Sequence, residues 1–108
     1  MKASGKLVRD RVPEIIRAAG LLPRIHIADP DEYHRRLRDK LREEVDEFVA
    51  AGRNEAPGEL CDVLEVVYAL AAELGLTRDR LEELRQLKAA ERGGFADRVV
   101  WSGNVEED

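Results

Sequence analysis

LRDKLREEVDEFVAAGRNEAPGELCDVLEVVYALAAEL, residues 37–74, reads as two amphipathic helices with a break around Gly52-Arg53-Asn54. A helix turns about 100° per residue, so Leu37, Leu41, Val45, Phe48 and Val49 fall on one apolar stripe. Glu44 lies inside that stripe, between Leu41 and Phe48. Glu47 follows at i+3 on the stripe's edge, so the two carboxylates are neighbours, whereas Asp46 points away to solvent. A carboxylate among core positions is costly unless it is paired, hydrogen-bonded or bound to a metal.

The second half repeats the device. Glu59 and Asp62 share a face at i, i+3, while Leu60, Val63, Leu64, Val67, Leu70, Ala71 and Leu74 make most of the remaining circumference apolar. Such a helix is central to a bundle or shared at a dimer interface. No Lys or Arg occurs between Asn54 and Thr77, so the acids at 59, 62, 65 and 73 have no cation within their own helix. A single Glu-x-x-Glu is ordinarily a solvated face. Two such pairs beside core stripes on adjacent helices point instead to a hard-cation site, magnesium or manganese, because no His or Cys accompanies them. Salt bridges from Lys40, Arg78 or Arg80 are the structural alternative.

Outward from this pair, a first short helix spans about residues 10–19, capped by Asp10, with Pro13 in its opening turn and Gly20 ending it. Residues 24–28 alternate and predict a short strand. Asp29-Pro30 opens the long helix as N-cap and first residue, Asn54 caps the next, and Gly75 stops it. Thr77 caps a fourth helix, whose Leu81, Leu84 and Leu87 keep one face until Gly93-Gly94, read as a C-cap. A second strand is expected at 99–101, pairing with the first, and the tail frays from Gly103. These elements make one all-α domain over residues 1–108: a bundle of about four helices with two short strands, completed by dimerisation.

Composition limits what such a domain does. Of 108 residues, 38% are charged, 44% hydrophobic and only 5% aromatic, which suits a helical globule with an aliphatic core rather than disorder. A net charge of −5 argues against a nucleic-acid polymer as partner, since phosphate neutralisation needs a basic face. Lys2, Lys6, Arg9, Arg11 and Arg17 do bunch near the start, a cluster fitting one nucleotide rather than a duplex. Cys61 is the lone cysteine, so there is no intrachain disulfide. No run reaches membrane-spanning length and the charged N-terminal stretch lacks an apolar signal core, so a cytoplasmic, non-membrane protein is expected. His26 and His34 lack metal-spaced partners and are read as surface or packing residues, as are Tyr68 and Trp101.

Glu43-Glu44-x-x-Glu47, followed after eleven residues by Glu59-x-x-Asp62, resembles the metal motif of the all-α nucleoside triphosphate pyrophosphohydrolases. These are the MazG and phosphoribosyl-ATP pyrophosphohydrolase superfamily. The opening Lys6-Leu-Val-Arg-Asp-Arg-Val-Pro-Glu-Ile-Ile16 and the late Lys88-x-x-x-Arg92-Gly-Gly-Phe95 resemble one subgroup of small bacterial, archaeal and phage proteins within it. The resemblance implies a dimeric or tetrameric helical bundle that hydrolyses a nucleotide between its α and β phosphates with magnesium, releasing a monophosphate and pyrophosphate. By that resemblance Glu44, Glu47, Glu59 and Asp62 would hold the metal. Glu43 would be the catalytic residue, orienting or deprotonating the attacking water. Lys6, Arg9, Arg11, Lys88 and Arg92 are the candidates for binding substrate phosphates. A helical dimerisation module and a nucleotide-binding regulator without turnover are the non-enzymatic alternatives.

Overall fold

Helix boundaries follow from local capping chemistry. In the computed structural model, which describes residues 5–106, α1 runs Val12–Ala18, α2 Pro30–Ala50, α3 Ala56–Glu73 and α4 Arg78–Arg92. Lys2 and the end of the tail lie outside the described residues. The side chains of Asp29 and Thr77 accept from the backbone N–H groups of Glu32 and Arg80 at 2.9 and 3.0 Å, satisfying donors that a helix start leaves open. α1 and α3 are not capped by Asp10 and Asn54 as the sequence suggests. They begin after Arg11 and Glu55, which make no side-chain cap bond, and each has a proline in its first turn. Gly20 and Gly75, at φ +86° and +82°, close these helices in the left-handed conformation that glycine alone takes without strain. Leu76 N–H then reaches Ala71 O at 2.8 Å, and Leu21 N–H reaches Ile16 O at 3.2 Å.

α2 and α3 form an antiparallel pair across the short 51–55 connection and carry most of the packing, with α4 added on α3. The seam of α2 is Leu37, Leu41, Glu44 and Phe48, spaced by four, three and four residues. That is the narrow stripe that one partner helix covers. Leu37 is 2% exposed and Glu44 7%, with Val66 and Ala71 buried opposite on α3. Val45 and Val49 were expected in the same stripe, yet they are 40% and 76% exposed. They lie about 100° round the helix from Glu44 and Phe48, beyond the reach of α3 alone.

The two expected strands do not form: no strand occurs among the described residues. Residues 24–28 and 99–101 each offer at most one short ladder, and a two-stranded pair of that length is marginal without a further sheet or helix to cover it. The chain is also drawn out. Its radius of gyration is 19.0 Å and its longest extent 70 Å, against roughly 13 Å expected for a compact domain of this length. Leu60 and Leu64 of α3, and Leu74 just after it, remain exposed along with Val45 and Val49. No helix among the described residues is long and apolar enough to cross a membrane.

Candidate metal centre

Because α2 and α3 are antiparallel, the second half of α2 faces the first turns of α3, and five acidic residues converge there. Glu43, Glu44 and Glu47 bring carboxylate oxygens within 4.8 Å of one another, and so do Glu44, Glu59 and Asp62. Glu44 belongs to both groups, so it joins the α2 acids to the α3 acids. Its position in the helix seam forces the burial noted above. One oxygen of Glu44, Oε1, lies 3.2 Å from Lys40 Nζ. The other, Oε2, is buried with no hydrogen-bond partner, and Glu59 Oε2 is in the same condition. Unpaired buried carboxylate oxygens are rare in folded proteins and need a reason.

Three cations border the cluster. Lys6 Nζ donates to Glu43 Oε1 at 3.1 Å and Lys40 Nζ to Glu43 Oε2 at 3.2 Å. Arg9 Nη2 donates to Asp62 Oδ1 at 2.6 Å. Five carboxylates thus meet three cations, leaving an excess of two negative charges. That is the charge of one divalent ion. The excess is felt at Glu47, whose carboxyl is pushed above its ordinary value chiefly by the charge of Glu44, then by desolvation. Glu43 goes the other way: partial burial opposes ionisation, but the hydrogen bonds from Lys6 and Lys40 outweigh it and lower its pKa. Lys40 is correspondingly raised, since its bonds to Glu44 and Glu43 outweigh its own desolvation.

The salt-bridge alternative is met only in part. Lys40 does reach the α2 acids, but Arg78 lies 4.0 Å from Glu65 and Arg80 pairs with Glu83. Glu73 is taken by Arg38 and His34. Among the described residues, Glu47 and Glu59 have no cation at all. Of the five basic residues named as phosphate candidates, Lys6 and Arg9 come to the cluster. Arg11, Lys88 and Arg92 make no ion pair with it. In the sequence Lys40 stands as a rival salt-bridge partner, yet its spacing of three and four residues from Glu43 and Glu44 already signals that it borders the cluster. His26 lies on the surface as expected and also pairs with Glu32, a link hidden from the chain's periodicity.

The donor set fits a hard cation: carboxylate oxygens only, two of them buried and unpartnered, with no His or Cys in either group. The family model described as phosphoribosyl-ATP pyrophosphohydrolase matches residues 24–89, which include all five carboxylates. The chain belongs to this family. An uncharacterised protein of Mycolicibacterium smegmatis (strain ATCC 700084 / mc(2)155) is 51% identical to this pyrophosphohydrolase-family chain over 51 residues. That alignment covers 47% of this chain and 52% of the relative, so the chain spans about half the length of the curated relative it matches. No solved structure matches. Lys6 and Arg9 lie outside the residues that the family model matches, although their side chains touch the carboxylates inside it.

Proposed function

We propose that this member of the phosphoribosyl-ATP pyrophosphohydrolase family is a magnesium-dependent hydrolase of a nucleoside triphosphate or related nucleotide. The observation that carries this reading is the seam position of Glu44, with its unpartnered buried oxygen beside the equally unpartnered oxygen of Glu59. Glu44, Glu47, Glu59 and Asp62 would hold magnesium, or manganese in its place. Bound there, the ion would supply positive charge to the phosphates being separated.

The chain's own groups account for the rest. Glu43, kept ionised by Lys6 and Lys40, accepts a hydrogen bond from the attacking water and directs its oxygen at the α phosphorus. A new phosphorus–oxygen bond forms there. The α–β bridging bond breaks, its electron pair leaves on pyrophosphate, and one proton passes to solvent. Lys6 and Arg9 would exchange their carboxylate partners for substrate phosphate oxygens. The decisive assay is pyrophosphate release across a panel of canonical, deoxy, damaged and phosphoribosyl-bearing nucleotides. Release of pyrophosphate from at least one of them, only with a divalent cation present, is the expected result. Release of orthophosphate instead, or none from any, contradicts the reading.

The active species is a homodimer or higher oligomer, working in the cytoplasm, where a lone exposed thiol such as Cys61 stays reduced. The open shape of the single chain and the exposed Val45, Val49, Leu60, Leu64 and Leu74 support assembly. Light scattering at micromolar protein is expected to give at least twice the chain mass of 12.2 kDa. A monomer would contradict it.

A further inference from the structure

Beside the carboxylate cluster lies a cavity of about 330 Å³ walled chiefly by three separate pieces of chain: the N-terminal segment from Gly5 to Asp10, the irregular residues 24–28, and the first turns of α2, with Pro13 of α1 at its edge. One carboxylate ties these walls together. Glu32 accepts from Arg36 Nε at 2.6 Å and bonds His26 Nε2 at 2.9 and 3.0 Å, while Arg36 Nη1 donates to Gly5 O at 2.9 Å. The bond from Arg36, and after it that from His26, holds the Glu32 carboxyl below its ordinary pKa. A clasp of this kind holds a cavity open in a chain that has little core to spare.

We propose that this cavity receives the base and sugar of the nucleotide whose phosphates meet the carboxylates, an inference that rests on the pyrophosphohydrolase reading. Three observations carry it. The first is continuity: Lys6 and Arg9 line the cavity and also touch Glu43 and Asp62. A smaller cavity of about 60 Å³, lined by Lys6, Arg36, Lys40 and Glu43 among others, extends from the same walls to the acids. The second is size, which sits at the lower end of the range of roughly 300–1,000 Å³ for small-molecule sites. The third is chemistry. Cations stand on the cluster side, and Tyr33 and Ile25 give aromatic and aliphatic surface. The backbone of residues 24–28 makes no hydrogen bond within the described chain, so its N–H and C=O groups are free for a base edge. The unformed strand is thereby given a use.

Two variants test it in the full chain with magnesium: Ala28→Trp, which fills the cavity, and His26→Ala, which opens the clasp at an exposed position and guards against a folding failure in the first. The probes are α,β-methylene-ATP, α,β-methylene-dTTP and inorganic triphosphate, measured by calorimetry. Wild type should bind at least one nucleotide analogue more tightly than triphosphate. At least one variant should weaken that analogue by about tenfold or more, some 1.4 kcal/mol, and change triphosphate affinity by less than about twofold. Equal weakening of both probes, or no weakening in either variant, overturns the cavity assignment. Wild type binding triphosphate as tightly as the analogues overturns it too, and leaves the pyrophosphohydrolase reading standing. Wild type binding no phosphate probe at all overturns both.

Discussion

Glu44→Gln is expected to lower magnesium-dependent pyrophosphate release by on the order of 10²–10³ or more, the scale of losing a preorganised electrostatic group at a reacting phosphate. Glu44 is the residue common to both acidic groups, so its charge acts on the α2 and the α3 acids together. Glutamine keeps the side chain's shape in the Leu37–Phe48 seam, and packing of α2 on α3 should survive. The substitution also removes the neighbour that most opposes ionisation of Glu47. The metal-free variant should therefore melt no lower than wild type. Loss of activity without loss of fold separates a metal-site role from a packing role, and the check is a melting curve beside a pyrophosphate assay. Activity within about tenfold of wild type would be inconsistent with Glu44 as a shared ligand.

Glu43→Gln is expected to act differently: turnover should fall by about 10²–10⁴ while magnesium-dependent nucleotide affinity stays close to wild type. Glu43 is the one acid of the cluster with two lysine partners, both within 3.2 Å. A merely structural role, anchoring the N-terminal segment through Lys6, predicts another pattern. In that case Lys6→Ala, which breaks the same anchor, would show the Glu43→Gln pattern of lost turnover at near-normal affinity, whereas a phosphate-binding Lys6 loses nucleotide affinity. Affinity and single-turnover rates for the two variants separate the roles. Near-normal turnover in Glu43→Gln would leave the metal site in place and assign the water to another group.

Much of this architecture is local and therefore readable from residue order. Asp29 and Thr77 cap because their oxygens reach an N–H three residues on, and Gly20 and Gly75 end helices because only the residue's own φ matters. The acidic pairs are legible for the same reason, since an apolar stripe interrupted by Glu44, and a cation-free α3, are facts of spacing. What escaped depends on partners distant in the chain. The alternation at 24–28 is a strand pattern, but a strand needs a neighbour and none arrives. Val45 and Val49 look like core until α3 proves too narrow to cover them. The basic bunch at the start shows no preference among its members in sequence, whereas docking beside α2 and α3 selects Lys6 and Arg9 and leaves Arg11 aside. The Glu32 clasp, joining three segments, has no periodic signature at all.

The central claim is that these carboxylates form a divalent-cation site, and melting temperature against magnesium concentration, for wild type and Glu59→Gln side by side, addresses it without any assumption about substrate. Glu59 has a buried, unpartnered oxygen and, among the described residues, no cation, so its neutral isostere removes the carboxylate charge while changing little else. At about one hundred times its dissociation constant, an ion binding only the folded state adds about 2.7 kcal/mol of stability. That corresponds to roughly 10 °C or more for a domain of this size. Wild type should show that rise and Glu59→Gln most of its absence; equal rises in the two proteins would contradict the site.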